Sequence, residues 1–404
     1  MKVFLGLIFA LSFTLTPARA DSSIDTYSKL FPLFMEYCAA TQIKPLFGEE
    51  GGFGGHAVIY VHGLCKNENI DYPRVEACSR IPLQKHVHSG VGISVDKYFK
   101  NVNWVAVPGY DFFISGGLNA TEKLTDKSLE RLIAETVELG IFKGVIYDEK
   151  QLGRELLEGD KKHGSHFYEE GIANSAVGTN MALQWGRNVE CIRLPITEPQ
   201  LYAVRDYLNR LNEKYYQNPQ KPYNWSAYSN NCTHTSSNAF SAIGAKEYIE
   251  PETNIAWQAL NLGNPANPLL TLQYLSQYQI LGETAIAPGG DYEKTFNEYQ
   301  WLPAQAGALT IQHPVFKNNT LFKTNLSASL LPPKPLYHSY KIWNFHKNGA
   351  QSVAHTDLEA NLNLWLSRYR EAVKTESSLK KHYMNSIKSV KSKLIKLKEA
   401  TLKK

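Results

Sequence analysis

A chain of 404 residues, 43% hydrophobic and 20% charged, has the length and apolar content to bury a large core, which excludes a disordered or fibrous polymer. Its formal charge of +5 is unevenly spread: residues 374–404 hold ten lysines against Glu376 and Glu399, so the basic balance belongs to the tail and the rest is acidic. Nothing in that distribution asks for a nucleic-acid partner. After the first twenty residues no apolar run approaches the length that spans a bilayer.

Residues 1–20 read as a secretory signal, with Lys2 before a short apolar run from Val3 to Leu15 and an Ala18-Arg19-Ala20 cleavage site. The expected location is therefore periplasmic or secreted. Five cysteines, an odd number in an exported chain, suggest two bridges and one free thiol. Cys65 and Cys78 flank a polar loop and are the easiest pair to close. Cys38 with Cys191 follows by elimination and leaves Cys232 free, although four cysteines allow three pairings.

Gly54 to His62 reads as a β-branched strand that presents His56 and His62 on one face. Two more strands follow, Val91–Asp96 and Asn101–Val107, before Pro108-Gly109. Thr125 to Leu139 has the spacing of an amphipathic helix, with Leu129, Leu132, Ile133 and Val137 on one side. Residues 140–188 are Gly-rich, and although His163, His166, Glu169 and Glu170 lie close together there, the stretch reads as a surface loop or lid rather than a metal site. Residues 188–194 alternate as a strand. Thr197-Glu-Pro-Gln200 then opens a helix with a capping box and an early proline, and Leu201, Val204, Leu208, Leu211 and Tyr215 form its apolar stripe.

The stretch from Tyr223 to Gly244 carries the chemistry. An Asn before Cys232 is a good N-cap and Gly244 a plausible stop, so Cys232 falls in the first turn of a helix. Unpaired N–H groups and the positive dipole end favour a thiolate there. His56, on a strand preceded by glycines that admit close approach, is the base that a thiol nucleophile needs. Tyr223, Trp225 and Tyr228 place rings just before the cysteine, either to wall an apolar pocket or to pack the helix onto the sheet.

"GGHAVIYV" followed much later by "NNCTHTSSNAF" resembles the circularly permuted papain-like thiol enzymes, among them lecithin:retinol acyltransferase and its relatives. The Gly-Arg strand, helix and aromatic approach to Asn-Cys from residue 186 onward are similar to the periplasmic domain of Lnb-type lipoprotein N-acyltransferases. The resemblance covers roughly residues 50–245. It implies a Cys232 nucleophile, a His56 base, and a third polar group that fixes the histidine tautomer, for which Asp96 and Asn103 are the candidates and Ser94 a weaker one. It also implies an acyltransferase or acyl hydrolase working on lipid or lipoprotein esters and amides, without cofactor or metal. Alternatives are a peptidoglycan peptide hydrolase and a catalytically silent envelope binding protein.

The expected fold is α+β: a permuted papain-like domain over 21–250, a β-rich or irregular extension over 251–356, and a basic helical tail over 357–404. In that tail Leu379, Tyr383, Ile387, Val390, Leu394, Leu397 and Thr401 step by three and four with lysines between. Such a helix either lies on an anionic membrane surface or packs on a partner.

Overall fold

The computed structural model describes residues 24–42, 54–78, 89–118, 125–148, 189–226, 230–249, 262, 264–279, 292–313 and 340–402. Residues 1–20, read above as an export signal, Tyr228, and the loop histidines His163 and His166 lie outside them. In chain order the elements are α1 (Ile24–Leu30), β1 (Phe34–Gln42), β2 (Gly54–His62), β3 (Leu64–Lys66), β4 (Val75–Ala77), β5 (Gly90–Ser94), β6 (Val105–Pro108), α2 (Tyr110–Ser115) and α3 (Asp126–Glu138). They continue as β7 (Val189–Pro195), α4 (Glu198–Tyr216), α5 (Cys232–Ala242), α6 (Ala266–Gln273), α7 (Glu293–Tyr299), β8 (Leu309–His313), α8 (Tyr340–Phe345), α9 (Val353–Thr356), α10 (Leu358–Thr375) and α11 (Lys380–Leu402).

The class is α+β. Six strands make one antiparallel sheet in the order β6-β5-β2-β1-β7-β8, and β3 with β4 makes a separate ribbon. Strand side chains alternate between faces, so β1 sends Tyr37 to one side and Glu36 to the other. The Tyr37 side is covered by helices: its ring meets Phe240 of α5 edge-on at 6.0 Å and its hydroxyl donates to Pro265 O beside α6. Burying a ring such as Phe240 contributes about 1.5–3 kcal/mol, which fixes α5 on the sheet. On the Glu36 side, Tyr60 packs against Tyr110 and Phe113 of α2.

Local signals explain most helix starts. Thr197 caps α4 by accepting from Gln200 N while the Gln200 side chain accepts from Thr197 N, the expected capping box. Thr125 caps α3 in the same manner, but Val137, expected on its buried side, is 60% exposed because α3 is a peripheral helix buried mainly through Leu132. The strand expected over 101–107 begins only at Val105. The backbone N–H groups of Asn103 and Trp104 donate to the Asn212 side chain of α4 and not to a neighbouring strand.

The stretch expected to be β-rich is mostly helical where it is described, from α6 to α9. Its one strand, β8, adds to β7 as the outer strand of the main sheet. The prolines of "GNPANP" sit at the start of α6, where a missing N–H costs nothing. Leu379 just before α11 and Tyr383, Val390 and Leu397 within it are buried and pack against α10 and α1, which leaves most of the lysines of α11 facing outward. The tail is a partner-packed helix, and its apolar face is not available to a bilayer. Among the described residues no helix is long and apolar enough to cross a membrane.

Candidate functional site

Two consecutive asparagines build the cysteine turn. Asn230 N and O pair with Ser226, its carbonyl also accepts from the Tyr223 hydroxyl at 3.1 Å, and its amide donates to Asn224 O. Asn231 then caps α5, its Oδ1 accepting from Thr233 N at 2.9 Å and His234 N at 3.1 Å. Cys232 is therefore the first residue of the helix.

The thiol is aimed by the sheet edge. Strand β5 pairs with β2 only from Ile59 to His62, so Ala57 has no strand partner on that side. The cysteine helix takes its place: Ala57 N–H donates to Cys232 Sγ at 3.5 Å, and Ser236 Oγ donates to Ala57 O at 3.3 Å. His56 is the next residue on the strand. Its Nε2 lies 3.2 Å from Ser94 Oγ, at the end of β5 where the two strands separate.

The third-residue candidates separate by what they touch. Asp96 Oδ1 accepts from Tyr98 N at 2.9 Å, the ordinary turn-capping role of a strand-end Asp. Asn103 Oδ1 accepts from the Thr235 hydroxyl at 2.8 Å, so it anchors the cysteine helix instead of orienting the His56 ring. Ser94, the weaker expectation, lies within hydrogen-bond distance of the His56 ring. His62 Nδ1–H donates to Pro32 O at 2.7 Å and the ring stacks on Phe34 at 4.7 Å, as a packing residue does. Tyr223 is buried against Tyr215 and belongs to the packing of the turn, while Trp225 is 36% exposed.

Burial pushes the Cys232 thiol up from its ordinary pKa, and the N–H of Ala57, the Thr233 hydroxyl and the N–H groups of Thr233 and Cys232 pull it down. Burial wins, since the residue is only 7% exposed. This corrects the expectation of a resting thiolate: the dipole and N–H donors surround the sulfur, but desolvation of the charge outweighs them.

The four other cysteines are bridged as expected, Cys38 to Cys191 across register-matched positions of β1 and β7, and Cys65 to Cys78 across the β3–β4 ribbon. Cys232 is the free one.

A buried charge cluster escaped the sequence reading. Glu36 and Arg193 pair directly across β1 and β7 and form an ion pair, with the Tyr110 hydroxyl on the carboxylate and His313 Nε2 at 3.2 Å from that hydroxyl. An acid in "FMEYCAA" and an arginine in "VECIRLP", each inside an apolar strand, are the signal. Glu36, Cys191 and His313 atoms gather within 4.8 Å. Cys191 is bridged and the Glu36 charge is already met by Arg193, so the donor set does not suit a cation.

No protein-family model, curated protein or solved structure matches the chain.

Proposed function

We propose that this protein is an exported thiol acyltransferase or acyl hydrolase, built as a circularly permuted papain-like domain and acting on ester or amide bonds of lipid or lipoprotein substrates. The observation that carries the reading is the free thiol at the start of α5, held on the strand beside His56 by the Ala57 N–H. When His56 donates Nε2–H to Ser94 Oγ, Nδ1 keeps the lone pair that accepts the thiol proton. The Cys232 sulfur then attacks the carbonyl carbon, and the C–S bond forms as the carbonyl electrons move onto oxygen. The Cys232 backbone N–H stabilises that oxyanion. Collapse expels the alcohol or amine, which takes the proton from His56, and leaves a thioester that water or an acceptor resolves.

The burial of Cys232 favours a second reading, a silent envelope binding protein in which the thiol is core. Incubation of the oxidised protein with an activated acyl ester, followed by intact-mass and peptide mapping, separates the two. An acyl adduct on Cys232, absent in Cys232→Ser and His56→Ala but retained in His62→Ala, is expected. No acyl adduct on Cys232 and no turnover by the wild-type protein would establish the silent reading. Release of lipid acyl groups rather than muropeptide stems separates the acyl enzyme from a peptidoglycan peptide hydrolase.

A further inference from the structure

The three-to-four-residue spacing that buries the Leu379–Leu397 stripe of α11 also makes a second stripe on its flank, at positions 378, 381–382, 385–386, 389 and 393. This flank, with α7, the 300–306 segment and Phe31, encloses a groove of about 720 Å³. Its described lining has a consistent chemistry. Lys381 and Lys393 supply charge, Ser386 and Ser389 supply hydroxyls, and Phe31 and Phe296 form an apolar floor. None of the described lining residues is acidic, and neither lysine has an acidic partner among the described residues.

Lys393 is held inward, its ammonium 4.9 Å above the Phe31 ring and donating to Ser389 Oγ at 2.6 Å. Burial, then the like charge of Lys396, lowers its pKa. A partly desolvated cation without a carboxylate is unusual, since buried charges are normally paired. Twelve residues of helix separate the two lysines, about 18 Å at 1.5 Å per residue, with hydroxyl and amide groups in between. Each lysine can therefore meet a phosphate separately, with the hydroxyl and amide groups between them left for a polyol.

We propose that this groove binds a phosphate-bearing polyol, with phosphate on one of the two lysines, hydroxyls on the serines and the carbon face on Phe31 and Phe296. This site is independent of the Cys232 chemistry. Such a group reaches an exported protein as a lipid headgroup or as a soluble polyol phosphate.

Binding of phosphatidylglycerol vesicles, phosphatidylcholine vesicles and soluble glycerol phosphate to the full-length oxidised protein distinguishes these. Lys381→Gln with Lys393→Gln removes the groove charges, and Lys388→Gln with Lys398→Gln removes the same charge from exposed lysines outside it. Circular dichroism checks that α11 remains folded in both. The expected result is at least tenfold weaker binding of an anionic probe in the groove variant, with the outer variant within about twofold of wild type. Binding of vesicles alone assigns the headgroup, and binding of glycerol phosphate assigns the soluble source. Equal losses in both variants, or no binding of either anionic probe, would overturn the proposal. Cys232→Ser should bind as wild type does, so failure here and failure of the acyl-enzyme reading are separate outcomes.

Discussion

At the scale of single residues, the site depends on small differences in what each side chain touches. Ser94 Oγ meets His56 Nε2, Asp96 Oδ1 accepts from Tyr98 N, and Asn103 Oδ1 accepts from the Thr235 hydroxyl of the cysteine helix. In the proposed mechanism Ser94 is a positioning residue, since it would act through the His56 tautomer. Ser94→Ala should lower kcat by about tenfold to a hundredfold, roughly 1.4–2.7 kcal/mol, with KM nearly unchanged. Ser94→Thr should restore much of it, and an unchanged kcat in Ser94→Ala would remove the residue from the site. The thiol makes a second prediction. Because burial raises its pKa, carbamidomethylation of Cys232 in the oxidised protein should be slow at neutral pH and keep rising above pH 8.5. A rate that reaches its plateau below pH 7 would mean that His56 holds a thiolate at rest.

At the scale of elements, one buried asparagine on α4 ties together several of the segments around the candidate site. Asn212 Oδ1 accepts from Asn103 N and Trp104 N, and its amide donates to Pro73 O and Trp104 O. It thereby ends one strand, holds the ribbon loop and places Asn103 where Thr235 of the cysteine helix reaches it. Asn212→Ala would strand buried donors and acceptors, each worth about 1–3 kcal/mol when unsatisfied. A loss of about 3 kcal/mol in urea unfolding is expected, with activity falling alongside stability. The cap of α5 is a smaller matter. Asn231→Ala should cost about 1–2 kcal/mol, and a shift below a few tenths would show that the sheet alone holds the helix start.

At the scale of the molecule, acid is the weak side. His313 and His355 are pushed down to about 4, first by burial, then by Arg193 and Arg368 respectively. Both stay neutral in the fold, while the unfolded chain binds protons from about pH 6.5. The stability they contribute is therefore present above pH 6.5 and lost as pH falls toward 4. The midpoint of thermal unfolding should drop steadily between pH 6.5 and 4, and His313→Gln should flatten that slope. A flat profile would mean that neither histidine is held neutral. The two bridges act independently of this. They are compatible with an oxidising compartment, and closing the 13-residue span between Cys65 and Cys78 stabilises by about 3 kcal/mol in the chain-entropy account.

What the sequence determined by itself was short-range or combinatorial. The Thr197–Gln200 box, the cysteine at a helix start and the His56 strand follow from chemistry within four or five residues. An odd count with one near pair pointed to the bridges, but with three pairings open it was the structure that fixed them. Tertiary structure decided whatever depends on partners far along the chain. Ser94 reaches His56 across 38 residues, and the helix meets Ala57 across 175. No spacing rule connects such positions, because they meet only where β5 ends and leaves β2 open. The thiol's protonation was hidden for the same reason: a helix start lowers a pKa locally, but the burial that outweighs it comes from the whole fold. In the tail the periodic stripe was legible, and only packing against α10 and α1 decided that it faces protein rather than lipid.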